Sequence, residues 1–184
     1  MGFLSEEQLK TMNFKFLGKN VLISDKASIY NSKNISIGDN SRIDDFCVIS
    51  AGSEGISIGR YVHIACYCSL IGKERIEMHD FSGLSSKVSI YSSSDDYSGN
   101  FMTNPTVPET LTNVIHGKVV LEKHVIVGAS SVVLPNITIS EGVAIGAFSL
   151  VAKDCEPFYI YTGVPAKKMK ERSKNLLAME SKLQ

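Results

Sequence analysis

Histidines and a pair of adjacent carboxylates are the side chains of this 184-residue chain that are best suited to move protons. His63, in the segment VHIACYC, is suited to act as a general base because an imidazole titrates near neutral pH. Asp95 and Asp96 are neighbours, and a carboxylate becomes a useful base when a second acid raises its pKa. Cys66 is a possible nucleophile, but no committed base stands beside it in the sequence. These residue types indicate general-base chemistry.

A six-residue hydrophobic period predicts the elements that position these side chains. Such a period fits neither an α-helix nor a long strand, but it fits a chain that turns a corner every six residues. We therefore predict a solenoid. The periodic positions are Leu17, Ile23, Ile29, Ile37, Ile43, Ile49, Ile58, Ile64, Leu70, Met78, Leu84, Ile90, Leu121, Val127, Val133, Ile139, Ile145 and Val151.

Insertions divide the period into coils. The longer steps follow Ile29, Ile49, Leu70 and Ile90, and each comes after a third hexad. Three hexads therefore form one coil, and all insertions are predicted to leave from the same corner. A small or β-branched residue four places after each aliphatic supplies a second inward position. Glycine often follows the aliphatic, where we expect it to provide backbone torsions that other residues avoid.

The same period predicts the organisation of the chain. Residues 17–156 form a β-helix domain of about six coils with one long loop at 92–118. Residues 1–16 form a helical cap, because Ser5 and Gln8 have the spacing of a capping box. Residues 157–184 form a C-terminal segment, with a helix predicted from Pro165 onward because the composition is rich in Lys, Glu, Leu and Met.

Several hexads carry a family resemblance: VGASSV, ISEGVA and IGAFSL, followed by VAKD and YTGVPAKKMK. With them the chain resembles the hexapeptide-repeat acyltransferases, most closely the sugar O- and N-acetyltransferases. The resemblance implies an all-β fold, a single-stranded left-handed parallel β-helix with short terminal helices. It also implies acetyl-CoA as cosubstrate, no metal, and a homotrimer with its sites between subunits.

The resemblance places the donor along one column of the solenoid. In the family, pantetheine lies in a groove and bonds to backbone groups of successive coils, and the matching positions are Ala129 and Ala147. Lys153 and Lys167 match basic residues near the phosphates of coenzyme A. A backbone N–H at Ser86 or a neighbour is expected to steady the oxyanion that develops on the thioester.

The acceptor side departs from the family pattern. Related sugar O-acetyltransferases carry a histidine in the loop after the third hexad, and in our register that position holds Asp95. His63, Asp95 and Asp96 are the candidate replacements for this base. Alternatively, an amine acceptor needs no strong base, because a neutral amine is already nucleophilic. We therefore leave O- and N-transfer open.

The long loop has the composition of an ordered functional segment. It runs from Ser92 to Lys118, far longer than the usual connection of about 4–6 residues. Its apolar residues and prolines argue against a disordered linker. We expect it to fold over an adjacent subunit and wall the acceptor pocket, with Tyr97 and Asp95 facing the substrate. Its deletion is expected to abolish transfer.

Composition excludes several classes of function. Zero formal net charge argues against a nucleic-acid-binding protein, which normally carries a basic excess. A signal peptide and a membrane span are both absent from the pattern, so we expect a cytoplasmic protein. Three of the four cysteines, Cys47, Cys68 and Cys155, fall at the small inward position and are expected to be reduced, while Cys66 faces outward.

These features favour an acetyl-CoA-dependent acetyltransferase. Its acceptor would be a hydroxyl or amino group of a sugar or nucleotide-linked sugar, in surface polysaccharide (O-antigen) biosynthesis. A second hypothesis is a metal-dependent hydratase like the γ-carbonic anhydrases, which share the fold but need three convergent histidines. A third is a non-catalytic β-helix subunit that serves assembly.

Overall fold

The computed structural model describes residues 2–183, and its regular secondary structure is almost entirely short strands joined by turns. Two α-helices lie near the ends, α1 (Glu6–Thr11) and α2 (Asn175–Glu180), and 3₁₀ turns occur at Ser32–Asn34 and Glu109–Leu111. In chain order the strands are β1 (Phe16–Leu17), β2 (Leu22–Ile23), β3 (Ser28–Tyr30), β4 (Ile35–Ile37), β5 (Arg42–Ile43), β6 (Val48–Ala51), β7 (Ile56–Ile58), β8 (His63–Ile64), β9 (Ser69–Gly72), β10 (Ile76–Met78), β11 (Gly83–Leu84), β12 (Ser89–Tyr91), β13 (Ser93–Ser94), β14 (Ile115–His116), β15 (Val119–Leu121), β16 (Ile126–Val127), β17 (Val132–Val133), β18 (Ile137–Ile139), β19 (Ala144–Ile145), β20 (Leu150–Val151), β21 (Tyr159–Thr162) and β22 (Lys167–Glu171).

Every third strand stacks on its counterpart in the next coil, which forms the predicted solenoid. The first sheet is β1-β4-β7-β10-β15-β18, and the third contains β3, β6, β9, β12, β17 and β20. The second sheet is β2-β5-β8-β11-β16-β19-β21-β22. Pairing within the stacks is parallel except between β21 and β22, which pair antiparallel. The prediction of about six coils is slightly short: β21 pairs with β19 and Cys155 bridges to Ile139, so the solenoid has about seven turns.

The interior of the solenoid holds the predicted aliphatic column. All but Leu17 and Ile29, which lie in the first coil, are buried. The second inward position is also buried, except at the partly buried Ala27 of the first coil, and its serines bond to nearby carbonyls, as Ser41 Oγ does to Gly59 O at 2.8 Å. Cys47, Cys68 and Cys155 point inward as predicted. The sequence pattern is therefore a pattern of burial, repeated once per hexad.

The role that we predicted for the glycines is wrong. Gly38 and Gly128 follow inward aliphatics but do not have positive φ; that conformation falls two residues later, for example at Asn40 and Ser130. A Cβ atom at Gly128 would instead lie 2.5 Å from the backbone nitrogen of Ala147. These glycines are needed because adjacent coils approach too closely for any side chain.

The two ends differ in how well they were predicted. Ser5 caps α1 with both hydrogen bonds of a capping box, as expected. The helix predicted from Pro165 is wrong over its first part, where β22 pairs antiparallel with β21. Helix α2 begins only at Asn175. Within residues 2–183, neither helix has the length and apolarity to cross a bilayer.

Truncating one core residue should measure how strongly a single coil contributes to stability. Ile64 is fully buried on β8, and Ile64→Ala should lower the free energy of unfolding by about 2–5 kcal/mol, because it leaves a cavity between tightly packed coils. Denaturant unfolding at fixed protein concentration tests this. Leu22→Ala, an exposed position in the same sheet, is the control and should change stability far less. Equal effects would contradict the proposed core.

Candidate active site

One corner of the solenoid carries a column of four residues, which we call the groove column: Cys66, Ser86, Ala129 and Ala147. They follow β8, β11, β16 and β19 at the same register. Backbone bonds tie this corner together from coil to coil: Lys87 N donates to Cys66 O at 3.0 Å, and Ser130 N to Ser86 O at 3.0 Å. Neighbouring members are therefore one rung apart, about 4.8 Å.

The backbone N–H groups of the groove column are free to bind a ligand. At the preceding corner, aspartates satisfy the equivalent groups: Arg60 N donates to Asp80 Oδ1 and Lys19 N to Asp39 Oδ1, both at 2.7 Å. Across residues 2–183, none of the four groove-column N–H groups has such an acceptor. A ladder of unpaired donors next to small side chains suits an extended ligand rich in carbonyl groups, such as pantetheine.

Lys167 lies at the upper end of this column. It pairs with Thr162 across the β21–β22 hairpin, and Thr162 packs directly above Gly146, the residue before Ala147. Lys153 follows β20 at the next corner, and no contact among the described residues joins it to the groove column. Both lysines are exposed and without an ion pair in residues 2–183. Lys167 thus has the better position to meet a phosphate above Ala147.

The other basic side chains of the C-terminal segment are already engaged. Lys168 Nζ bonds to Glu156 Oε2 at 2.7 Å and lies 3.7 Å from the centre of the Tyr159 ring. Arg172 donates to the carbonyl oxygens of His124 and Gly142. These residues anchor the C-terminal segment to the solenoid.

His63 faces outward on β8 and is held by a buried carboxylate. Its Nε2 lies 2.9 Å from Asp44 Oδ2, while Arg42 Nε lies 2.6 Å from Asp44 Oδ1. Burial raises the pKa of Asp44, but the hydrogen bonds from His63 and Arg42 outweigh burial and keep that pKa below its usual value. Gly83, one coil above His63, leaves the outward face open. No described contact joins His63 to Asp95 or Asp96.

A two-stranded stem carries the long loop. Strands β13 and β14 pair antiparallel, and Ser93 Oγ both accepts from Lys73 N and bonds to His116 Nδ1 at 2.8 Å. The stem and loop expose large apolar side chains, Ile115 on the stem and, beyond it, Tyr97 with 90% of its surface accessible and also Phe101, Met102 and Leu111. The stem fixes where the loop leaves the solenoid, directly after the coil that contains Ser86.

The structure distinguishes the two loop carboxylates. Asp96 Oδ1 accepts from Ser98 N at 2.7 Å and Oδ2 from Asn113 Nδ2 at 2.8 Å, so this side chain closes the loop. These hydrogen bonds lower the pKa of Asp96, the opposite of what a base requires. The half-buried Asp95 carboxylate accepts no hydrogen bond from the described residues. Asp95 therefore remains available to a substrate.

Two serines lie at the rung from which the loop departs. Ser86 Oγ is 3.3 Å from Cys66 Sγ, which gives the outward thiol a hydroxyl neighbour and no base. Ser85 is one residue earlier in the same turn, and its backbone N donates to Val127 O. Sequence reasoning named Ser86 but not Ser85.

The remaining histidines do not converge. His79 lies 3.7 Å from Glu77, and His124 lies 2.7 Å from Glu180 of α2. No group of three or more histidine, cysteine, aspartate or glutamate side chains within residues 2–183 is placed to hold a metal ion. His63, His79 and His124 thus each partner a separate carboxylate and His116 bonds to Ser93, unlike the ligand set that a hydratase requires.

Sequence reasoning missed one feature of this site, the Asp44–His63 pair, and reached the unpaired N–H ladder only through the family resemblance. The ladder has no signature in side chains, although the aspartates of the neighbouring corner, Asp39 and Asp80, are a visible contrast. Asp44 and His63 are nineteen positions apart, which is close to one coil. One coil back from His63 lies Arg42, and Asp44 follows it by two residues, so this count leads close to the partner.

Comparison with known proteins agrees with this geometry. A dTDP-4-amino-4,6-dideoxy-D-glucose acyltransferase from Escherichia coli is 56% identical over 181 residues, which cover 98% of this chain and 94% of that protein. The N-acyltransferase AntD from Bacillus cereus, crystallised with dTDP and coenzyme A, is 49% identical with a TM-score of 0.96 over 100% of this chain and 98% of its own. No family model matches the chain.

Other AntD structures concern its ligands and two of its residues. One complex contains dTDP and 3-hydroxybutyryl-CoA, and another contains dTDP-4-amino-4,6-dideoxyglucose and coenzyme A. The altered forms of AntD change a serine and an aspartate that stand ten residues apart in its chain. A maltose O-acetyltransferase from Clostridium difficile, 22% identical with a TM-score of 0.61 over 92% of this chain and 75% of its own, shares the fold.

Proposed function

We propose that this chain transfers an acyl group from an acyl-CoA to the amino group of a dTDP-linked 4-amino-4,6-dideoxyhexose. The chain belongs to the hexapeptide-repeat family of dTDP-amino-sugar N-acyltransferases, which supports this activity. Acetyl-CoA is the expected donor, and 3-hydroxybutyryl-CoA is the alternative that the AntD complex suggests. The observation that carries the proposal is the ladder of unpaired N–H groups from Cys66 to Ala147, which passes through the coil whose loop carries Asp95.

Asp95 is the proposed proton acceptor. The neutral amine attacks the thioester carbonyl, forming the C–N bond, and Asp95 takes the proton that the nitrogen then sheds. Its carboxylate has no other hydrogen-bonded partner in the described chain, whereas Asp96 is committed to Ser98 and Asn113. The ten-residue spacing of the altered AntD residues is matched here by Ser85 with Asp95 and by Ser86 with Asp96. The free carboxylate supports the pairing of Ser85 with Asp95.

The groove column is proposed to stabilise the oxyanion. As the amine adds, the thioester oxygen becomes negative, and the unpaired N–H of Ser86 is a donor that needs no rearrangement to meet it. The C–S bond then breaks, and the thiolate of coenzyme A leaves and takes up a proton. This direct transfer requires no acyl-enzyme, since Cys66 has a hydroxyl beside it and no base.

We propose that the acyl-CoA donor binds in the groove and that a neighbouring subunit covers the same groove. Pantetheine carbonyls would accept from the N–H groups of Ala129 and Ala147, while Lys167, together with Lys153, would approach the phosphates. The apolar side chains exposed by the loop support a homotrimer in which each loop covers the groove of a neighbour and walls the acceptor pocket. We further propose a cytoplasmic enzyme in surface polysaccharide biosynthesis, such as O-antigen assembly.

A direct assay of acceptors tests the proposed function. The purified protein, incubated with acetyl-CoA and dTDP-4-amino-4,6-dideoxyglucose, should yield a product heavier by one acetyl group, detected by mass spectrometry. Parallel reactions use 3-hydroxybutyryl-CoA as donor and dTDP-glucose, which lacks the amine, as acceptor. Amide formation with the amino sugar and no reaction with dTDP-glucose is the expected result. Activity confined to hydroxyl acceptors would overturn the proposal.

A further inference from the structure

Two aromatic rings lie exposed beside the lower half of the groove. Phe46 and Tyr67 stack with their ring centres 5.0 Å apart and their planes 21° apart, and about half of each side chain is accessible, 48% and 52%. Both occupy turn positions with positive φ, at 61° and 63°. Bulky residues are unusual in that conformation, and asparagine takes the equivalent turn position at Asn20 and Asn40.

A second aromatic stack in this chain shows how such rings are normally covered. Tyr61, Phe81 and His124 stack at 5.1 Å spacing on the preceding corner. Helix α2 covers them, since Glu180 bonds to His124 and Leu177 lines the cleft beside Tyr61 and Phe81. Over Phe46 and Tyr67, the described chain supplies only Lys26, whose Nζ lies 5.7 Å from the Phe46 ring centre.

The exposed pair is continuous with the groove column. Phe46 follows Asp45, and Tyr67 follows Cys66, one rung below Ser86. Lys87 stands directly above Tyr67, because Lys87 N bonds to Cys66 O just as Tyr67 N bonds to Asp45 O. Descending from the Ser86 rung, a ligand therefore meets a cation and then the stacked pair of aromatic rings.

The charged side chains beside Phe46 and Tyr67 suit the pyrophosphate of a nucleoside diphosphate sugar. The Lys87 side chain is exposed and makes no ion pair within residues 2–183. The carboxylate of Asp45 is compensated, since it accepts from Ser24 Oγ at 2.5 Å and lies 3.4 Å from Lys26 Nζ. An amino sugar at the Ser86 rung would thus have a cation beside its pyrophosphate and an aromatic face below for its base.

We propose that Phe46 and Tyr67 form a stacking platform for the thymine base of the acceptor nucleotide. This inference rests on the proposed function and names the residues that recognise the nucleotide. The adenine of coenzyme A is the other base available, but the donor column extends upward from Ala129 to Lys167, away from the platform. Aromatic stacking accepts any base face and contributes strongly to affinity.

Substitution by asparagine removes each ring and keeps a residue that this turn tolerates. Phe46→Asn and Tyr67→Asn should each weaken dTDP binding by about tenfold or more in isothermal titration calorimetry, and coenzyme A binding should be unchanged. Phe148→Asn, the same exchange at an exposed aromatic turn residue on the donor half of this corner, is the matched control and should leave dTDP affinity unchanged. Saturation-transfer NMR on dTDP should detect contact at the thymine methyl protons.

The outcomes separate this inference from the proposed function. If the unaltered protein does not bind dTDP, both the stacking platform and the proposed function are wrong. If it binds dTDP and both variants bind within twofold of it, the platform alone is wrong. Loss of coenzyme A affinity in the variants would assign the rings to the donor. A change in oligomeric state by sedimentation analysis would make them a contact between copies of the chain, which also overturns the inference.

Discussion

Asp95→Asn should lower kcat for acyl transfer to the dTDP-amino sugar by roughly 10²–10⁴-fold, the usual contribution of a positioned general base. Asparagine has nearly the shape of aspartate but accepts no proton from the attacking amine. The affinities for coenzyme A and dTDP should remain, because Asp95 makes no hydrogen bond that supports the loop. Initial rates at saturating substrates, with binding measured by calorimetry, separate the two effects.

Asp96→Asn is the matched control, since it removes the neighbouring charge without removing the proposed base. The variant loses the hydrogen bond between Asp96 Oδ2 and Asn113, so the loop should loosen and KM for the acceptor should rise modestly while kcat changes less than about tenfold. The reverse ranking of the two variants would move the base to Asp96. A loss of kcat confined to His63→Ala would instead assign it to the Asp44–His63 pair.

The fold was predictable from sequence because burial recurs at one fixed interval. Each inward position, such as Ile43, Ile64 or Leu84, has the same neighbours one coil above and below, so one rule applies along the whole chain. The C-terminal prediction failed for a reason that composition does not reveal. The last coil leaves the edge of β21 open, and β22 satisfies those backbone groups by pairing with it, which overrides the helical preference of Lys, Met and Glu.

The site was predictable only where a side chain marks it. The departure at Asp95 was visible because the resemblance to sugar O-acetyltransferases implies a histidine there, but the sequence ranks Asp95 and Asp96 equally. The hydrogen bonds from Ser98 and Asn113 distinguish them, and these depend on how the loop closes. The unpaired N–H of Ala147 was inferred from resemblance, because backbone groups carry no residue signature.

Ala147→Pro should raise KM for acyl-CoA by about tenfold, and the double variant with Ala129→Pro by about a hundredfold. Proline removes the N–H and leaves a pantetheine carbonyl unpaired, which costs about 1–3 kcal/mol per site. The turn should tolerate the change, because Phe148 and Ser130, the following residues, have positive φ and proline is favoured before such a residue. Steady-state kinetics with varied acyl-CoA measures the effect.

The comparison with valine distinguishes the backbone donor from the space around it. Ala147→Val adds a side chain about as large as the proline ring but keeps the N–H, so KM for acyl-CoA should rise much less if hydrogen bonding dominates. Equal losses in both variants would mean that the small side chain, and not the unpaired donor, admits the ligand. Because Ala129 and Ala147 would each bind a different carbonyl of one extended ligand, the penalties should be roughly additive. A double variant no worse than either single one would instead place a single contact in the groove.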